Sequence, residues 1–184
     1  MREPPAAAGV QLRRWRPEDL APLLRHADDA DVSRGLSTRF PHPYTRADGE
    51  AFLSGQVVDL SAPVFALEID GEACGGIGVQ PGSGERRHGA TLGYWLGRRH
   101  WGQGIMTRVV AAFAPWVMDE LGLYRLAAQV MTGNPASARV LLNNGFTEEG
   151  LERQAVLKDG MLHDLRCFAR LRAWPRPTAG GYTP

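Results

Sequence analysis

The residues Arg99-His100-Trp101-Gly102-Gln103-Gly104 carry the strongest chemical signal in the chain. They lie between a strand-forming run and a long helical pattern. A helix N-terminus presents unpaired backbone N–H groups and the positive end of the helix dipole, so it holds an anion such as a pyrophosphate. Glycine at 102 and 104 removes the side chains that would keep the backbone away from that anion. Arg98 or Arg99 supplies a cation. The same glycines are also compatible with a plain strand-to-helix turn. A dinucleotide fingerprint fits poorly, because Thr107 stands at its third glycine position, and the lysine of a P-loop is missing.

Other reactive residue types are sparse. Cys74 and Cys167 each lie in an apolar run without metal-ligand spacing around them, so both read as buried free thiols and no metal site is expected. Asn134-Pro135-Ala136-Ser137 reads as a helix start, with Asn134 as N-cap and Ser137 in the first turn. The 184 residues, 43% hydrophobic with a formal net charge of +1, suffice for one domain with a full core. That charge gives no global field to recruit nucleic acid or a membrane surface. The N-terminus lacks the apolar segment of a signal peptide, and no stretch reaches the ~20 apolar residues of a membrane span. A cytoplasmic location is the expectation.

These groups need elements to hold them. Residues 10–15 read as a strand, and Pro17, Glu18 and Asp19 open a helix. Residues 31–44, with Gly35, Pro41 and Pro43, read as a loop. Thr45 and Asp48 form a capping box for a helix over 46–59. Strands at 64–69 and 73–79 flank the hairpin signal Asp70-Gly71. A strand at 90–97 runs into the phosphate motif, and helical periodicity follows over 103–121, with Pro115 expected to kink it and Gly122 to end it. A strand at 124–131 precedes a short helix that ends at Asn144-Gly145. Strands at 146–157 and 161–171 form a last hairpin around Lys158-Asp159-Gly160, with Met161, His163, Leu165, Cys167, Ala169 and Leu171 on one apolar face. Strands alternating with helices imply a mixed α/β sheet. The domain spans 10–172, between tails at 1–9 and 173–184 that are expected to be flexible.

Together, Gly93-Tyr94-Trp95-Leu96, the loop at 99–104, Asn134-Pro135-Ala136-Ser137 and Asn144-Gly145-Phe146 resemble the GNAT superfamily of N-acetyltransferases. The central motif of that family is Gln/Arg-x-x-Gly-x-Gly/Ala after a strand, followed by an Asn-x-x-Ser/Ala helix start and a short helix ending in Gly-Phe. The opening Leu12-Arg13-Arg14-Trp15-Arg16-Pro17-Glu18-Asp19 and the closing Glu148-Glu149-Gly150 and Asp159-Gly160 match as well. The resemblance covers residues 10–172 and is nearest the branch of ribosomal-protein N-terminal (alanine or serine) acetyltransferases. It implies a single-domain α/β fold with a mixed, mostly antiparallel sheet, splayed between two central strands and flanked by about four helices.

The resemblance further implies acetyl-coenzyme A as cosubstrate. Its pyrophosphate would lie on Gly102, Gln103, Gly104, Ile105 and Met106, with Arg99 and Trp101 alongside. Its pantetheine arm would run in the splay along the backbone of Tyr94, Trp95 and Leu96, with Asn134 reaching it from the other side. Ser137, with Asn134, would be catalytic and would offer a hydroxyl to the leaving sulfur. The acceptor would be a primary amine, either a small molecule or a protein N-terminus, and the chain a monomer or homodimer. Many members carry a glutamate in the pattern Glu-x-Gly-Tyr-Trp, where Thr91 stands here. Glu68, Glu85, His88, His163 and a water chain remain as candidates for the base. An α-amine, with its pKa near ~7.7–8.0, needs the least help. The missing carboxylate keeps a second reading in play, a non-catalytic module that senses acyl-coenzyme A.

Overall fold

Two Asp-Gly pairs organise much of the chain. Asp70-Gly71 (φ 51° and 82°) and Asp159-Gly160 (φ 51° and 74°) both take the positive φ of two-residue type I′ turns. Each closes an antiparallel hairpin: β2 (Val64–Ile69) with β3 (Glu72–Pro81), and β6 (Thr147–Lys158) with β7 (Met161–Leu171). The computed structural model describes residues 1–7 and 9–173. It joins these hairpins with β1 (Gln11–Arg13), β4 (Gly89–Leu96) and β5 (Arg125–Met131) into one seven-stranded sheet of order β1-β2-β3-β4-β5-β7-β6.

Neighbouring strands are antiparallel except β4 and β5, which are parallel and joined by the crossover helix α4 (Ile105–Glu120). That ladder is short: Gly89, Ala90 and Thr91 pair with Arg125, Leu126 and Ala127. Beyond it β4 stays with β3 as far as Leu96, and β5 stays with β7 as far as Met131. Residues 92–96 and 128–131 therefore turn unpaired edges toward each other. This is the expected splay.

Alternation along the strands builds a core on each face. On one face, Val109, Phe113 and Val117 of α4 and Leu141 of α5 (Pro135–Leu142) pack on Ile77, Leu92, Leu126 and Phe168. On the other, α1 (Leu20–Ala27) and α3 (Arg46–Leu53) bring Leu23, Ala27 and Phe52 together with Trp15, Tyr44 and Trp95.

Several expectations need correcting. The expected loop at 31–44 opens with a helix, α2 (Ala30–Arg34), because the Asp29 carboxylate accepts the N–H groups of Asp31 and Val32. The count of α-helices is therefore five among the described residues. The helix expected over 46–59 stops at Leu53, ahead of Gly55 with φ 81°. Pro115, expected to kink the helix without splitting it, does lie within one unbroken α4. The carbonyl it cannot serve, that of Ala111, lies on the exposed side of the helix and so is not buried without a partner. The apolar stripe of β7 is not its main core face. Phe168, 1% exposed, lies on the opposite face in the α4 and α5 core, whereas Met161 and Leu171 are exposed. Alternation separates two faces without saying which one a helix will cover. Cys74 is buried, but Cys167 is only half-buried, with Sγ 3.3 Å from a Glu152 oxygen. In the segment 1–9, Ala7 is buried and bridges to Val10, and Arg2 pairs with Glu120. Of 173–184, only residue 173 lies within the described residues. No helix among them is long and apolar enough to cross a membrane.

Candidate active site

Gly104 begins α4 in the left-handed region (φ 67°, ψ 9°), and Gly102 shares it (φ 74°). An L-residue pays about 1–2 kcal/mol there, so glycine lets the loop turn sharply into the helix. No side chain caps the first turn. The N–H groups of Ile105, Met106 and Thr107 thus have no intrahelical partners and stand at the carboxyl end of β4, beside the splay.

The loop is braced by side chains. Gln103 Nε2 donates to the Arg99 carbonyl at 3.2 Å, and Arg108 Nη1 donates to the Gln103 carbonyl at 3.0 Å. Arg108 was not anticipated. Its guanidinium lies beside the cradle, 3.3 Å from where a Gly104 Cβ would stand, and its signal is helical: it lies one turn after Gly104. Arg99 turns instead to Glu72 Oε2 at 2.8 Å, and Arg98 to Asp31 at 3.0 Å.

The hydrogen-bond alternation of β4 decides which peptide groups the splay receives. The Gly97 N–H reaches the Cys74 carbonyl at 2.7 Å. In an antiparallel ladder, every second residue then faces β3, including Trp95, while Leu92, Tyr94 and Leu96 face the splay. Trp95 differs from the expectation in this respect, and its ring packs on Phe40 at a centroid distance of 5.1 Å. The Arg125 N–H bonds to the His88 carbonyl. The same alternation therefore turns the peptide groups of Gln129 and Met131 into the splay from β5, a pair that sequence reading missed. Trp101 Nε1 donates to the Leu96 carbonyl at 2.7 Å, so this indole caps the exposed edge of β4.

At the far side, α5 starts with Asn134, whose Oδ1 accepts the Ser137 N–H at 3.1 Å. Its amide nitrogen is the group left to meet a ligand. A Cβ on Gly35 would lie 2.5 Å from that nitrogen, so the segment after α2 closes over it. The Tyr94 hydroxyl crosses from β4 to Ser137, 2.9 Å from Oγ and donating to the carbonyl at 3.1 Å. Burial pushes the Tyr94 phenol up to about 12, so it stays neutral. The tip of the last hairpin holds the α2 segment: the buried Lys158 ammonium donates to the carbonyls of Ser33 and Leu36. Burial lowers the pKa of that ammonium.

The candidate bases are scattered. Glu68 is held by Arg13, which also grips Asp19. Glu85 and His88 precede β4, at the end away from the α4 N-terminus. His163 lies on β7 opposite Val156 of β6, two residues before Leu165, the partner of Met131. Thr91 sits where the parallel ladder ends.

The model described as the acetyltransferase (GNAT) domain matches residues 10–147. The chain belongs to the GNAT acetyltransferase family. A GNAT-family acetyltransferase from Bacillus anthracis superposes with a TM-score of 0.79 at 20% identity, over 90% of this chain and 96% of that one, and so shares the fold. RimJ of Mycobacterium smegmatis, solved in complex with CoA-disulfide, superposes with a TM-score of 0.76 at 26% identity, over 88% of this chain and 81% of that one. The Bacillus subtilis protein YdaF, whose name carries a provisional ribosomal N-acetyltransferase assignment, is 34% identical over 65% of this chain. The match spans 65% of YdaF's own length, and 45% and 48% of two further Bacillus subtilis N-acetyltransferases. The GNAT cosubstrate suits the features present: an uncapped glycine-started helix for its pyrophosphate, a cation at Arg108, and open strand edges for its amide-bearing arm.

Proposed function

We propose that the chain transfers an acetyl group from acetyl-coenzyme A to the α-amine of a protein N-terminus, by direct attack within a ternary complex. The observation that carries this reading is the adjacency of two features: the uncapped start of α4 at Gly104 and a splay edged by Tyr94, Leu96, Gln129 and Met131. The cosubstrate supplies an activated thioester. The backbone groups of the chain orient it, and Asn134 meets its arm from α5.

The acceptor class follows from the base. Thr91 stands where many members of the family carry the glutamate. At neutral pH an α-amine, with its pKa near ~7.7–8.0, is unprotonated roughly 300-fold more often than a lysine side chain near ~10.4. A site without a strong base therefore favours the α-amine. The name of YdaF supports a ribosomal-protein acceptor. The Tyr94 and Ser137 hydroxyls are coupled: when the Tyr94 proton turns from the Ser137 carbonyl to Oγ, the Ser137 hydroxyl is free to donate to the leaving sulfur. An alkyl thiol has a pKa near ~8.5, well below that of the Tyr94 phenol at about 12. Complete proton transfer to the leaving sulfur is thus uphill, and the pair instead stabilises developing negative charge by hydrogen bonding.

The test is release of free thiol from acetyl-coenzyme A with peptides that begin in serine or alanine, set against Nα-blocked lysine peptides and polyamines. Mass spectrometry locates the acetyl group. Acetylation at the α-amine is expected, and acetylation confined to side chains or small amines would overturn the acceptor assignment. Thr91 also favours a second reading, the acyl-coenzyme A sensor. Tight cosubstrate binding without turnover on any of these amines would establish it.

A further inference from the structure

Three side chains that share no sequence motif converge beside the phosphate loop. His26 of α1, Cys74 of β3 and His100 of the turn Arg98–His100 each bring one ligand atom within 4.8 Å of the others. The Glu72 carboxylate joins them, with Oε2 3.6 Å from His26 Nε2. His26 is 4% exposed, and its Nε2 has no hydrogen-bond partner among the described residues. A buried nitrogen left unpaired is costly, so its place in the fold calls for a partner. The other groups already converge on a cation. The Arg99 guanidinium donates to Glu72 Oε2 at 2.8 Å and to His100 Nε2 at 3.0 Å, and reaches Cys74 Sγ at 3.8 Å. Gly97 contributes by what it lacks, since a Cβ there would lie 2.5 Å from His26 Nδ1.

We propose that His26, Cys74 and His100, with Glu72 as fourth ligand, form a Zn²⁺ site that exchanges with the Arg99 guanidinium. Two imidazoles, a thiolate and a carboxylate are ligand types that Zn²⁺ takes tetrahedrally, at bond lengths that put ligand atoms roughly 3.5 Å apart. The cluster needs to contract by about 1 Å to reach that geometry. Arg99 is half-exposed and free to swing into solvent. Binding releases the Cys74 proton to solvent, and the thiolate and Glu72 carboxylate then balance the charge of the ion. The way in is a cavity of about 160 Å³ lined by Arg25, His26, Asp29, Arg98 and Arg99. Its three arginines are paired with Glu72, Asp29 and Asp31, so no uncompensated positive charge bars entry.

The experiment uses tag-free protein stripped with a chelator and titrated with Co²⁺, followed by competition with Zn²⁺. One Co²⁺ per chain is expected, with a thiolate-to-cobalt charge-transfer band that Zn²⁺ abolishes. The band should vanish in Cys74→Ser and persist in Cys167→Ser. His100 is only partly buried, so His100→Gln tests the site without threatening the fold and should weaken binding by about 100-fold. Arg99→Gln removes the competing cation and should tighten it. Absence of the band in the parent protein, its persistence in Cys74→Ser, or unchanged affinity in a folded His100→Gln variant would each overturn the site.

Discussion

Gly104→Glu places a side chain and a negative charge where the loop is proposed to hold the pyrophosphate. The backbone at 104 has φ 67°, so any L-residue costs about 1–2 kcal/mol. The new Cβ meets only Arg108 Nη1, at 3.3 Å, the movable end of a long side chain. A carboxylate at the start of α4 also recovers about 0.3–1 kcal/mol from the helix dipole. The net stability loss is therefore about 1 kcal/mol, or roughly 2–4 °C in melting temperature. The ligand fares far worse. Two like charges about 5 Å apart at an effective dielectric constant near 20 repel by about 3 kcal/mol, which alone weakens binding by roughly 100-fold. Gly104→Ala carries the backbone strain without the charge and should lose about tenfold or less. Calorimetric titration with coenzyme A, alongside thermal melts without ligand, separates the two effects. A Gly104→Glu protein that melts near the parent and binds coenzyme A with unchanged affinity would refute the placement of the pyrophosphate.

Ser137→Ala and Tyr94→Phe should each lower kcat by about tenfold with little change in the KM for acetyl-coenzyme A, and the double variant should cost less than the product of the two. Multiplicative losses in steady-state kinetics would mean that the hydroxyls do not act as a pair. Lys158→Met leaves the Ser33 and Leu36 carbonyls without their donor and should cost about 1–3 kcal/mol in urea denaturation, and an unchanged midpoint would deny that tether. For Asp19, burial alone would raise the carboxyl, but hydrogen bonds from Arg13 and the Arg16 N–H more than reverse this and hold it below its ordinary value. Its stabilisation is therefore complete above the usual carboxylate range and drains as pH falls below that range. Asp19→Asn should cost about 2–4 kcal/mol at neutral pH and flatten the acid limb of the stability curve, and parallel acid limbs in variant and parent would contradict this.

The parts of the fold that sequence reading located are those with local causes. The two Asp-Gly turns, the capping box at Thr45 and the glycine start at 104 each act within a few residues, and hydrophobic period places the strands around them. Most of what it missed depends on distant partners. The α2 cap at Asp29 is local but sits among breakers that read as loop. The covered face of β7 depends on where α4 lands. The site shows the same division. Gly102, Gly104 and Asn134 announce themselves by motif. The turning of Trp95 away from the splay, and of Gln129 and Met131 into it, follows from ladder parity, which needs the pairing register. The grip of Lys158 on the α2 segment joins residues more than 120 positions apart and leaves no trace in local pattern.

The three-residue ladder between β4 and β5 has a consequence for how such a chain diverges over time. Most of the grip proposed for the cosubstrate is peptide backbone, which ordinary side-chain replacement leaves in place. Only proline, an insertion, or loss of a positive-φ glycine would erase it. Drift is thus filtered strictly at a few positions and loosely elsewhere, and the segments over Asn134 are free to be rewritten for new acceptors while the donor half is inherited intact.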